Sequence, residues 1–136
     1  MKTSNQSGVT KKAFTLLEMT VVIMMMLALM GTGMFVNRKM DEWKLGREAC
    51  ETLRSVYSAQ RMFLADNPTR LVSSLTSTDI IPYLQNGATS LPTVKSMTGA
   101  TLGILVNVSP PVINAGSGVV YDPSGNNKDS IWDVGE

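Results

Sequence analysis

The chain has 136 residues, a net charge of +1, one cysteine and no histidine. That length allows one small domain. A single cysteine excludes an intrachain disulfide, and the lack of histidine removes the commonest general base and transition-metal ligand.

Residues 1–13 are polar and without periodicity, and they read as a disordered leader. They hold Lys2, Lys11 and Lys12 and no acid, so removing them leaves a net charge of about −2. No strongly basic stretch follows that would make nucleic acid the main partner. An apolar run then extends from Phe14 to Val36, interrupted by one carboxylate, Glu18. About 20 apolar residues suffice to span a hydrocarbon core as a helix, and this run passes that length. An ionised group in such a segment costs roughly 3 kcal/mol or more at the bilayer centre. Glu18 sits near the segment's end, where leaning toward water lowers that cost. Its best partner would be a nearby fixed positive charge, and a cut after Ala13 would create one at the Phe14 amine. Met24, Met25 and Met26 read as lipid-contacting filler. Gly31 and Gly33 lower helix propensity and allow either close helix packing or a simple fit to the bilayer edge. An ordinary secretory signal is the competing reading, with Gly31-Thr32-Gly33 as its cleavage site. Such signals have apolar cores of about 7–15 residues, shorter than this one, and carry no acid at their start.

The string Lys11-Lys12-Ala13-Phe14-Thr15-Leu16-Leu17-Glu18 resembles the N-terminal signal of type IV pilins and type II secretion pseudopilins. The resemblance implies cleavage between Ala13 and Phe14 by a prepilin peptidase at the inner membrane, and N-methylation of Phe14. It also implies that Glu18 pairs with the amino terminus of a neighbouring subunit during assembly. Ala13 departs from the family, which prefers glycine at that position.

From Asn37 to Asp66 the apolar pattern becomes one-sided. Trp43, Gly46, Cys50, Leu53, Tyr57, Gln60 and Leu64 recur at three- and four-residue steps, widened by Ala49, Val56 and Phe63. Charged residues fill the other side, with Lys44–Glu48 and Arg47–Glu51 spaced as (i, i+4) pairs. Arg38, Lys39, Lys44 and Arg47 read either as contacts to lipid headgroups or a neighbouring subunit's acids, or as a solvated stripe. Asn67-Pro68 ends the pattern. Residues 14–66 therefore read as one helix of roughly 80 Å, with membrane residues 14–36 and amphipathic residues 37–66.

Residues 67–136 alternate short elements with turn signals. Ser77 to Leu84 reads as a capped helical turn, and Asn86-Gly87 as a turn. Leu102 to Val108, Val119 to Tyr121 and Ile131-Trp132 read as strands, with Pro110-Pro111 stopping the first. The expected fold is α+β, a long helix with a small antiparallel sheet on its C-terminal half. Cys50 reads as a small buried apolar residue, without an imidazole to activate it.

Asp122, Ser124, Asn126, Ser130 and Asp133 alternate like oxygen ligands, but Asn127 stands where an EF-hand needs glycine, and flanking helices are missing. Major pseudopilins bind calcium in a C-terminal loop, so the resemblance implies Asp122, Asp129 and Asp133 as candidate calcium ligands. The same residues also read as a polar turn with solvated acids.

The functional expectation is a non-enzymatic pilin or pseudopilin subunit of a type IV filament. The missing disulfide and small C-terminal part favour type II secretion over adhesion, motility or DNA uptake. The resemblance implies as partners copies of the chain, the prepilin peptidase, an inner-membrane assembly platform and the lipid bilayer. It places the chain as a single-pass inner-membrane protein, with the C-terminal domain outside the cytoplasm, and then in a periplasmic or extracellular filament. A non-polymerising, membrane-anchored binding domain would explain the apolar run equally, but would give Glu18 no role.

Overall fold

The computed structural model describes residues 15–135, apart from the side chain of Asn86. The architecture is α+β. One long helix, α1 (Leu16–Asp66), precedes short elements and a three-stranded antiparallel sheet. The chain divides into two compact units between Arg38 and Lys39.

In the first unit, every described side chain is exposed. This segment is long and apolar enough to cross a membrane. Its threonine hydroxyls are satisfied locally. The Thr20 hydroxyl donates to Leu17 O at 2.8 Å and that of Thr32 to Leu29 O at 2.9 Å. Hydroxyls bonded inside their own helix cost little in an apolar medium. A Cβ added at Gly31 or Gly33 would meet nothing within 4 Å.

The second unit is built on α1 from Lys39 onward. Gly46, Ala49, Cys50, Leu53, Val56, Ala59, Gln60 and Phe63 form its buried face. Leu53, Val56, Ile80 and Ile113 are fully enclosed. Burying such a side chain contributes about 1.5–3 kcal/mol. The helix ends at Asp66, where Asn67 caps Phe63 O through its side-chain amide at 3.0 Å and Pro68 follows. Tyr83 then donates to Asp66 Oδ2 at 2.9 Å and meets the Phe63 ring edge-on at 5.7 Å. Ser77–Ile80 is a helical turn, α2, capped by Thr76 and Asp79 in a capping box.

The sheet is β1 (Val94–Lys95), β2 (Thr101–Leu105) and β3 (Val112–Asn114), in that spatial order. Val94 faces Leu102, and Ile104 faces Ile113. Three strand assignments change. The first strand stops at Leu105, because Gln60 captures the chain beyond it. Val119-Val120-Tyr121 makes only an isolated bridge, Asn114 to Val120, between positive-φ glycines and a turn. Ile131-Trp132 is not a strand, since Trp132 takes φ +69° and donates its N–H to Gly46 O at 3.4 Å.

Two helix-surface expectations also change. Lys44 pairs with Asp41 at 3.8 Å and Lys39 with Glu42 at 2.9 Å, in place of Lys44–Glu48 and Arg47–Glu51. Acid before base is the favoured order on a helix, which fits Asp41–Lys44. Arg47 instead lies over the Trp43 ring at 5.1 Å. Trp43 itself remains 52% exposed, lining surface grooves beside Ser130 and Ile131 and not enclosed by them.

At Gly46 the C-terminal loop packs tightly against α1. A Cβ there would lie 3.1 Å from Trp132 Nε1 and would collide with Ile131 Cγ2. Alanine gains about 1 kcal/mol of helix propensity. Overpacking costs about 1–3 kcal/mol, so Gly46→Ala should destabilise the domain by about 1 kcal/mol. Urea denaturation followed by tryptophan emission checks this, and a stabilised variant would contradict the close approach.

Candidate functional site

Ala13 and Phe14, the expected cleavage pair, lie outside the described residues. Glu18 lies within them, in the first turn of α1. Its Oε2 accepts from the Thr15 backbone N–H at 3.2 Å, with the Thr15 hydroxyl at 3.4 Å. The Glu18 N–H in turn donates to the Thr15 hydroxyl at 3.2 Å. That is a reciprocal capping box, and an acid in the first turn also suits the helix dipole. Thr15 is a residue that sequence reasoning passed over. Its signal was present, since threonine stands three positions before glutamate at the head of an apolar run. The arrangement holds the only carboxylate of the apolar segment at that segment's N-terminal end.

The other candidate region is the C-terminal loop. Asp122 Oδ1 accepts the N–H groups of Ser124 and Gly125 at 3.0 and 3.2 Å. The Ser124 hydroxyl has one proton, and the shortest bond, 2.6 Å to Asp122 Oδ1, takes it. Asp129 Oδ1 accepts the Ile131 N–H at 3.0 Å. Two of the three acids thus close their own turns. Asp133 differs, because both its carboxylate oxygens are buried without a hydrogen-bond partner. Burial pushes its carboxyl up from the ordinary value, and the nearby charges of Asp129 and Asp122 push the same way. The backbone N–H groups of Gly135 and Ser130 oppose that shift without bonding either oxygen within hydrogen-bond limits.

These residues do not gather into a metal centre. Among the described residues no group of three or more His, Cys, Asp or Glu side chains is placed to hold a metal. Asp122, Asp129 and Asp133 are near enough to feel one another's charge but do not form a calcium cage.

Cys50 is buried, its sulfur 3.9 Å from Val134 O. Burial pushes its thiol up, which keeps it protonated and a poor nucleophile. Arg54 donates to the Ser130 hydroxyl at 3.0 Å beside it. A groove of about 650 Å³ runs between Tyr57, Pro111, Val112, Val120 and Trp132, and its walls are mainly apolar.

Gln60 was read as one of the helix's face residues, but its task was not foreseen. Fully buried, its Nε2 donates to both Val106 O and Val108 O at 2.8 Å. It thereby holds the segment leaving β2 against α1.

No family model matches this chain, and no curated protein or solved structure shows significant similarity to it.

Proposed function

We propose that this chain is a structural subunit of a type IV filament, a pilin or pseudopilin, serving type II protein secretion. In this reading a prepilin peptidase cuts after Ala13 and methylates the new Phe14 amine. The segment from Phe14 to Val36 anchors the subunit once in the inner membrane, with the domain outside the cytoplasm. An assembly platform then transfers subunits from lipid into a periplasmic or extracellular filament, where copies of the chain pack through this helix. The observation that carries the reading is the lone carboxylate, Glu18, at the head of the exposed apolar segment of α1, residues 16–36. A neighbour's amine would compensate the charge there. A buried ion pair contributes register more reliably than net stability. A structural rather than catalytic role is supported by the lack of histidine and the raised Cys50 thiol.

The capping box favours a second reading. Glu18 has a local partner in Thr15, so a single-pass anchor carrying a non-polymerising binding domain accounts for it too. The two readings separate on one substitution. Gln at this position still completes a capping box but carries no charge. Under the filament reading, Glu18→Gln and Glu18→Ala both insert and fold, and both lose most assembly. Under the anchor reading, Glu18→Gln behaves as the parent. Sheared-filament yield or secretion level reads the difference. Mass spectrometry of the N-terminal peptide from membranes supplies the companion result, a chain starting at methylated Phe14. A chain retaining residues 1–13 would sink the filament reading.

A further inference from the structure

Met97 is an apolar side chain held in solvent by a closed turn. Ser96 N–H donates to Ala100 O at 2.8 Å, and Gly99 N–H to Ser96 O at 2.9 Å. Ala100 N–H donates to Ser96 Oγ at 3.0 Å. The Met97 N–H donates to the Tyr121 hydroxyl at 3.0 Å, and the Tyr121 ring meets buried Trp132 edge-on at 5.3 Å. The turn is thus fixed to the core, yet Met97 stays 40% exposed.

Met97 lines a surface groove with Lys39, Trp43 and Pro123. Met40 and Trp43 are each about half exposed. Three large apolar side chains, from α1 and from the β1–β2 turn, therefore belong to the part of the domain where the chain enters it. Lys39 follows Val36 by three residues. An extended chain covers at most about 3.6 Å per residue, so Lys39 stays within about 11 Å of the apolar segment's end. The headgroup layer on each side of a hydrocarbon core is about 5–8 Å thick.

We propose that Met40, Trp43 and the Met97 turn form a platform that rests the domain on the bilayer surface. The proposal takes from the functional reading only that residues 16–36 cross a membrane. Trp and Met suit this layer, Trp because its ring is apolar and its N–H can stay wet. Residues 38–51 carry four cations and four acids, with Lys39 on Glu42 and Lys44 on Asp41, so the local charge cancels. The surface therefore takes a zwitterionic lipid and does not need an anionic one.

The test uses the full chain in phosphatidylcholine vesicles, with a nitroxide at Met97→Cys in a Cys50→Ala background. Labels at Met25→Cys in the apolar segment and Val119→Cys on an exposed loop serve as references. Oxygen, which enters lipid, and a water-soluble nickel chelate report the surroundings. The Met97 label should favour oxygen several-fold over the Val119 label. Adding phosphatidylserine or salt should leave that ratio unchanged. A Met97 label that matches Val119, while Met25 is in lipid, overturns the platform alone, and leaves the patch to a protein neighbour. A water-exposed Met25 overturns the membrane reading and the platform with it. Should Cys50→Ala not fold, bromolipid quenching of the unmodified chain decides. Quenching that disappears in Trp43→Phe is the expected result, and no quenching overturns the proposal.

Discussion

Trp132→Ala should lower domain stability by about 3–5 kcal/mol, the range for truncating a large buried aromatic. The indole is 4% exposed, meets Tyr121 edge-on, and closes the C-terminal loop over Gly46. Its backbone adds a second effect. At φ +69° a bulky residue sits in the left-handed region, at a cost of about 1–2 kcal/mol. Alanine keeps most of that strain and glycine removes it. Trp132→Gly should therefore be the more stable of the two truncations, by about 1 kcal/mol. Urea denaturation followed by circular dichroism measures both. An alanine variant at least as stable as the glycine variant would show that the backbone there is relaxed.

Gln60→Leu should cost about 2–3 kcal/mol, although it replaces a buried polar residue by an apolar one of similar size. The amide donates to two carbonyls, and leucine leaves both without a donor. Some relief comes from losing Oε1, which is buried and unpaired. The opposite amide orientation would aim that oxygen at the same two carbonyls, so the assignment follows from the partners. Hydrogen exchange offers a second readout. The amides of Asn107 and Val108 should exchange faster in the variant, while those of α2 change little. A uniform loss across the domain would mean that Gln60 acts by general packing.

Long elements were legible in the sequence. Asn67-Pro68 marks the end of α1, and Leu53, Val56 and Gln60 fall on its buried face as their spacing requires. The capped turn at Ser77 was also legible. Of the strands only β2 was, over Leu102 to Leu105, because β1 and β3 have two and three residues, too few to display alternation. Val119 and Val120 have strand chemistry but remain exposed, since β-branched residues report what fits a sheet, not whether one is there. Trp43 shows the limit of helical periodicity. Its spacing puts it on the apolar face, but the C-terminal loop lies beside it and leaves it half exposed. At the candidate sites, Asp122 and Asp129 look like ligands by spacing, while their hydrogen bonds serve their own turns. Only coordinates could tell Asp133 from them, because its distinction is a missing donor.

Gly31 and Gly33 have empty space where a side chain would stand. Within this chain alone, alanine at either position would stiffen the helix by about 1 kcal/mol and obstruct nothing. The molecule's own stability therefore supplies no reason to keep them. Any requirement for small residues there would act from outside the molecule, so their tolerance to replacement is a record of its neighbours. A saturation library across residues 16–36, scored for growth under conditions that need the protein, would read that record directly. Positions that reject larger side chains would trace the footprint of an adjoining helix, and a flat profile would mean that only lipid has ever touched them.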